Sequence, residues 1–178
     1  GILKDGDEFR PGSRTDRGVS AAGNVIMIGT DKDPRGIIPG LNSELDDIVF
    51  HGIARVDEDF NPRHAVQRWY RYYLLDDGKY NENIRLQNSK IFLGEHDFRN
   101  LSKTDHRDEI TVLAIDSIDI DKQDGFIIFD IRARRFLWQM IRRLIPLLLE
   151  MHDGRLDTAE VLSILSEGGK RVNVNTIA

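Results

Sequence analysis

Three segments of this sequence combine residue types that can do chemistry. The first runs from Gly12 to Ala21 and reads Gly-Ser-Arg-Thr-Asp-Arg-Gly-Val-Ser-Ala. Two glycines bracket Arg14, Thr15, Asp16 and Arg17, and glycine lets a tight loop hold a side chain outward. A carboxylate between two arginines stays ionised at neutral pH, because the positive charges favour its charged form. An ionised carboxylate is what a carboxylate nucleophile needs. The alternative is a polar turn in which Asp16 accepts nearby backbone N–H groups.

The second segment, Phe60 to Leu75, holds no acid and three arginines among its aromatic rings. On a strand, alternate side chains share a face, so Arg68, Tyr70 and Tyr72 lie on one side and Trp69, Arg71 and Tyr73 on the other. Arginines interleaved with rings suit RNA, where the cation meets phosphate and the ring stacks on an unstacked base. Equally, the rings could be core and the arginines rim. The third segment begins Phe136-Leu137-Trp138-Gln139-Met140-Ile141-Arg142-Arg143. Read as a helix, it lines up Phe136, Met140, Leu144, Leu147 and Met151 in one stripe. Arg142 shares a face with Trp138, Ile145 and Leu149. An arginine among apolar neighbours is costly unless it meets a carboxylate or snorkels to water along Trp138. Pro146 removes the hydrogen bond to the Arg142 carbonyl, so the helix is expected to be weakened or kinked there.

Other chemistries find little footing. The chain has no cysteine, which removes disulfides, thiolate metal sites and cysteine nucleophiles. His51, His64, His96, His106 and His152 have no paired helical spacing, so no metal is expected. The run Asp119 to Gly125 resembles a calcium loop, but its glycine comes one position late and no Glu follows in the twelfth place. No phosphate-binding or dinucleotide glycine motif occurs. His96-Asp97-Phe98 reads as a helix end packing a phenylalanine rather than as a catalytic pair.

The elements that must position these segments follow from pattern and turn chemistry. Strands are expected at Asn24–Thr30, Asp47–Val56, Gln67–Leu75, Ile110–Ile120 and Phe126–Ala133, the last two joined by the hairpin signal Asp124-Gly125. Pro34, Gly36, Pro39 and Gly40 suggest a loop, with a brief helix up to Leu45. Helices are expected over Asn81–Leu93, Phe136–Met151 and Asp157–Leu165, with Asn81 and Asp157 as N-caps. The class is α+β, a mostly antiparallel sheet flanked by helices.

Of the 178 residues, 40% are hydrophobic and 31% charged, which fits a globular chain. No apolar stretch is long enough to span a bilayer. Net charge is −5, which by itself disfavours a nucleic-acid partner, but its distribution is uneven. Residues 1–60 carry 7 basic and 12 acidic side chains, whereas residues 131–149 carry five arginines and no acid. Acidic runs such as Asp57-Glu58-Asp59 read as solvated faces.

Taken together the segments resemble the TruA family of tRNA pseudouridine synthases. Ser13-Arg14-Thr15-Asp16-Arg17-Gly18-Val19-Ser20-Ala21 resembles its Arg-Thr-Asp loop, with Ser20 where the family has His. Leu45-Asp46-Asp47-Ile48 matches a later segment without its proline. Arg63, Arg68, Tyr70 and Tyr72 fit the arginine and tyrosine pattern, with Trp69 where a basic residue is common. Leu93-Gly94-Glu95-His96-Asp97-Phe98 and Phe136 through Arg142 complete the order, with Pro146 in place of the usual Gly.

The resemblance implies a pseudouridine synthase catalytic fold of two RRM-like halves sharing one sheet. Residues 1–60 would be the remainder of the N-terminal half with the catalytic loop, and residues 61–178 the C-terminal half. It implies Asp16 as nucleophile, Arg142 as its ion-pair partner and Tyr70 as the residue stacking on the target base. Arg14, Arg17, Arg63, Arg68, Arg134, Arg135 and Arg143 are the expected RNA contacts. It further implies a cytoplasmic homodimer acting on tRNA, in the anticodon stem-loop at positions 38–40, with no metal, no cofactor, no DNA and no membrane. A non-catalytic RNA-binding domain of the same fold is the alternative. Only 13 residues precede Arg14, so a truncated chain is expected, without the family's leading strand and helix or its final strand.

Overall fold

The computed structural model describes residues 8–79, 88–103 and 110–166. The chain divides into two compact units, Gly1–Ala65 and Val66–Ala178. Both contain antiparallel strands and helices, the α+β class read from the sequence. Among the described residues the hydrogen bonds form two ladders, one in each unit.

In the first unit, β1 (Phe9–Pro11) pairs antiparallel with β2 (Ile26–Ile28). The ladder continues at both ends, with Gly12 N–H donating to Val25 O at 2.7 Å and Gly29 N–H to Glu8 O at 2.9 Å. A Cβ on Gly12 would lie 2.8 Å from the Val25 carbonyl oxygen and 3.0 Å from that of Pro62, so only glycine fits where the chain leaves the ladder for the Arg-Thr-Asp loop. α1 spans Pro34–Glu44, so the brief helix expected up to Leu45 forms and takes in the prolines and glycines read as a loop. Pro34 stands at the start of α1, where a missing N–H costs nothing. The Asp33 side chain caps it by accepting from Arg35 N–H at 3.0 Å. The strand expected over Asp47–Val56 does not form. The Asn42 side chain takes both backbone groups of Phe50, accepting its N–H at 2.8 Å and donating to its carbonyl at 3.0 Å. A strand there would need those groups for a ladder.

Among its described residues the second unit holds a four-stranded antiparallel sheet in the order β3-β6-β5-β4. Its strands are β3 (Arg68–Leu75), β4 (Gly94–Asp97), β5 (Val112–Gln123) and β6 (Phe126–Ala133). Asp124 and Gly125 join β5 to β6 with φ of 52° and 79°, the paired positive values of a type I′ hairpin turn. Asp116 is the extra residue of a bulge between Ile115 and Ser117. One face of the sheet packs on α2 (Met140–His152) and α3 (Thr158–Ile164) through a core that includes Phe92, Phe98, Ile127, Phe129, Ile131 and Leu144. Asp157 caps α3 in a reciprocal box with Glu160, both bonds 2.8 Å. 

Two further expectations change here, and a third is only partly described. The helix expected over Asn81–Leu93 lies largely outside the described residues; of its described end, Asn88 and Ser89 are helical and Lys90–Phe92 form a 3-10 turn. His96 and Asp97 lie on β4, not at a helix end. The Asp97 carboxylate accepts Arg99 N–H at 3.0 Å and so caps the following turn, while Phe98 is fully buried. The α2 helix begins at Met140 rather than Phe136, because Gln139 adopts a left-handed conformation (φ 60°, ψ 11°) that stops helical hydrogen bonding one residue earlier. The helix runs on through Pro146, which is buried.

Candidate functional site

In the first unit the loop leaving Gly12 is clamped at its base, where Asn24 Nδ2 donates to the Ser13 carbonyl at 3.0 Å. At its tip Val19 N–H donates to the Asp16 carbonyl at 3.1 Å, with Gly18 at φ 81°. That closes a β-turn over Asp16-Arg17-Gly18-Val19, and its third position demands a positive φ that glycine adopts freely. Asp16 is half-buried at the turn's start, and Arg14 and Arg17 are exposed. Arg63 is exposed near the unit's end, its N–H held by Asn61 Oδ1 at 3.0 Å.

In the second unit β3 alternates as its sequence predicts. Arg68, Tyr70, Tyr72 and Leu74 are half-buried, and Trp69, Arg71, Tyr73 and Leu75 exposed. Tyr72 and Leu74 pack on the core, and burial raises the Tyr72 pKa. At the Arg68 end the strand meets the segment that follows β6. The Arg68 guanidinium donates to the Arg134 carbonyl at 2.6 Å. The Tyr70 ring meets Phe136 edge-on, 5.0 Å between centroids and 84° between planes. The structure thus brings Arg68, Tyr70, Arg134 and Phe136 together, in the connection that leads to Arg142 and Arg143 in the first turn of α2. Arg135, Arg142 and Arg143 are half-buried and Arg134 exposed. Phe136 leaves the helical stripe to become the neighbour of Tyr70, a contact 66 residues long in sequence with no local signal.

The other face of β3 carries a network that sequence reasoning missed. Trp69 Nε1 donates to Asp130 Oδ1 at 2.7 Å. Arg71 donates to both Asp130 oxygens, each at 2.7 Å. Arg71 and Arg132 lie over the Trp69 ring at 5.1 and 4.7 Å, and Arg132 also pairs with Asp119 at 2.7 Å. The Arg71 guanidinium holds the Asp130 carboxyl below its usual range against a desolvation cost. Asp130 in turn raises the Arg71 pKa. Asp130 lies one residue before the acid-free stretch. The strand register opposite Arg71 is what makes it a partner. Arg132 is therefore balanced by a carboxylate.

Of the predicted residues, Arg14, Asp16, Arg17 and Arg63 belong to the first unit, and Arg68, Tyr70, Arg134, Arg135, Arg142 and Arg143 to the second. Among the described residues no cluster of three or more His, Asp or Glu could hold a metal ion. No described helix is long and apolar enough to cross a membrane.

Comparison with known proteins bears on this arrangement. A family model described as tRNA pseudouridine synthase matches residues 89–178. The chain is 39% identical over 161 residues to a protein of Pyrococcus furiosus named tRNA pseudouridine synthase A, covering 90% of this chain and 59% of that protein. A Thermococcus sibiricus protein of the same name is 40% identical over 171 residues, covering 94% of this chain and 63% of its own length. One from Thermoplasma acidophilum is 36% identical over 142 residues, covering 80% and 55%. The chain spans about three fifths of the length of the curated relatives it matches.

Proposed function

The chain belongs to the tRNA pseudouridine synthase family, and on that premise we propose that the protein is an RNA-modifying isomerase converting uridine to pseudouridine in tRNA. The observation that carries the reading is the grouping of Arg68, Tyr70, Arg134 and Phe136 just ahead of the helix that bears Arg142. A basic strand end with a ring held at fixed tilt suits a base taken out of its stack.

The reaction breaks the N1–C1′ glycosidic bond, rotates the uracil and forms a C5–C1′ bond. C5 loses a proton and N1 gains one, so atoms balance with no oxidant, metal or organic cofactor. Flipping the uridine out costs a few kcal/mol, and stacking on the Tyr70 ring offsets about 1–3 kcal/mol of it. Asp16 is the nucleophile, presented at the start of the glycine turn, and the Arg142 guanidinium keeps it ionised and oriented. The Tyr70 hydroxyl stands near the proton to be removed from C5. Arg14, Arg17, Arg63, Arg68, Arg134, Arg135 and Arg143 hold phosphate and sugar.

The family resemblance further supports a cytoplasmic homodimer acting on the anticodon stem-loop. The test is incubation of the full-length protein with unmodified tRNA, followed by chemical labelling that separates N–C from C–C glycosides. Pseudouridine in the anticodon arm is the expected product. Tight tRNA binding with no isomer formed would favour the non-catalytic RNA-binding alternative and overturn the proposal.

A further inference from the structure

The second unit exposes two large indole rings, and they are held in different ways. Trp69 is tied down by Asp130 and flanked by two arginines. Trp138 projects from a turn between two buried anchors. It is 44% exposed, while Leu137 on one side is 4% exposed and Met140 on the other is fully buried. Met140 N–H donates to the Leu137 carbonyl at 3.1 Å, and Lys103 N–H donates to the Trp138 carbonyl at 2.9 Å. Gln139 completes the turn at φ 60°, a conformation that costs a non-glycine residue free energy. The backbone is therefore pinned in the form that turns a large apolar side chain outward. The Lys103 ammonium lies 4.5 Å from the centroid of that ring. On either side of Trp138 the sequence carries Arg134, Arg135, Arg142 and Arg143 with no acid from 131 to 149.

We propose that Trp138 and Lys103 form a second RNA-contacting platform beside the Tyr70 site, in which the indole stacks on an unpaired base of the tRNA and the lysine meets the adjoining phosphate. An indole offers two faces. The cation takes one, and a base stacks on the other. This combination of ring and cation is what single-stranded nucleic acid selects, because every base has a π-face and every nucleotide a charge. The surrounding arginines supply the field that draws a polyanion rather than an apolar protein surface. Tyr70 serves the base that reacts, and Trp138 holds a neighbour and fixes the register of the loop. The inference rests on the proposed tRNA substrate.

The sequence has two tryptophans, so Trp69→Phe leaves Trp138 as the sole indole reporter. Titrating that variant with bulk unmodified tRNA should quench its emission in step with binding. Trp138→Ala should weaken tRNA binding about 5- to 150-fold, the range that corresponds to about 1–3 kcal/mol per stacked base, and Trp138→Phe should restore most of it. Lys103→Ala should flatten the salt dependence by nearly one phosphate contact. Tight binding with unchanged emission and unchanged affinity in Trp138→Ala would overturn the platform while leaving the proposed tRNA substrate intact. No tRNA binding by the unsubstituted chain would remove both. Emission that shifts with protein concentration before RNA is added would assign the ring to a protein contact and also overturn it.

Discussion

The two units of this chain divide fold and chemistry unequally. Among its described residues the second holds a four-stranded sheet under α2 and α3, with a core that includes seven fully buried side chains on β5, β6 and α2 alone: Ile115, Ile127, Ile131, Met140, Leu144, Ile145 and Leu147. The first has two strands of three residues each. Only Gly12, Met27, Ile37 and Pro62 are buried among its described residues. Yet that lightly cored unit carries Asp16. The contrast teaches that the carboxylate loop is shaped by local devices, a glycine no other residue could replace, an asparagine clamp and a glycine turn, rather than by burial. Side-chain substitutions from Arg14 to Arg17 should therefore act on activity with little effect on stability, and substitutions in the sheet should do the reverse.

The largest expected effect is on the second unit. Phe129 is 2% exposed, and Phe129→Ala should cost about 3–5 kcal/mol, read as a lower urea midpoint. Met27→Ala should cost about 2 kcal/mol or less, at or below the low end for such truncations, since few neighbours surround it. Equal losses would erase the contrast between the units.

Next comes Tyr70, which belongs to the well-cored unit but stands at the edge of its core. Tyr70→Leu should weaken tRNA binding by about 1–3 kcal/mol through lost stacking. Tyr70→Phe should keep most of that affinity and lose turnover, because only the hydroxyl is gone. Equilibrium binding and single-turnover isomerisation separate the two, and wild-type turnover in both variants would return Tyr70 to a packing role beside Phe136.

What the sequence made legible follows the range of the interactions. The β5–β6 hairpin could be read because Asp124-Gly125 is a local turn signal, and the alternation of β3 because it is a period of two. The N-cap at Asp157 was equally local. The brief helix expected up to Leu45 was placed too late, because prolines and glycines read as a loop although Pro34 sits where a helix tolerates it. The strand read at Asp47–Val56 failed because its β-branched residues could not announce that Asn42 would take the backbone of Phe50. In the candidate site, the residue types and faces of Arg68, Tyr70 and Tyr72 were legible. Their partners Phe136 and Arg134, the Asp130 network and the lysine over Trp138 were not, since each contact joins residues 35 or more positions apart or depends on strand register.

A smaller effect sharpens the account of local devices. Asp157→Ala removes the cap of α3 and should cost about 1 kcal/mol, measured by thermal or urea unfolding at neutral pH. The smallest should come from Asp130. Its folded pKa lies below the unfolded value, which is about 3.9. Its contribution to stability is therefore complete above that pH and is lost as pH falls through the lower folded value. The stability gap between wild type and Asp130→Asn should be present at pH 6 and shrink towards zero near about pH 2. A gap that stays constant across that window would show that the Arg71 pair contributes nothing through charge.

The central claim is that Asp16 performs the chemistry from a loop that the fold does not depend on. Its most direct test is isomerisation by full-length Asp16→Asn on unmodified tRNA, measured beside its unfolding midpoint and its tRNA affinity. The amide matches the carboxylate in volume but lacks its charge, so it cannot take the nucleophile's role proposed for Asp16. The account predicts no pseudouridine formed, with midpoint and affinity near those of wild type. Wild-type isomerisation by Asp16→Asn would contradict it.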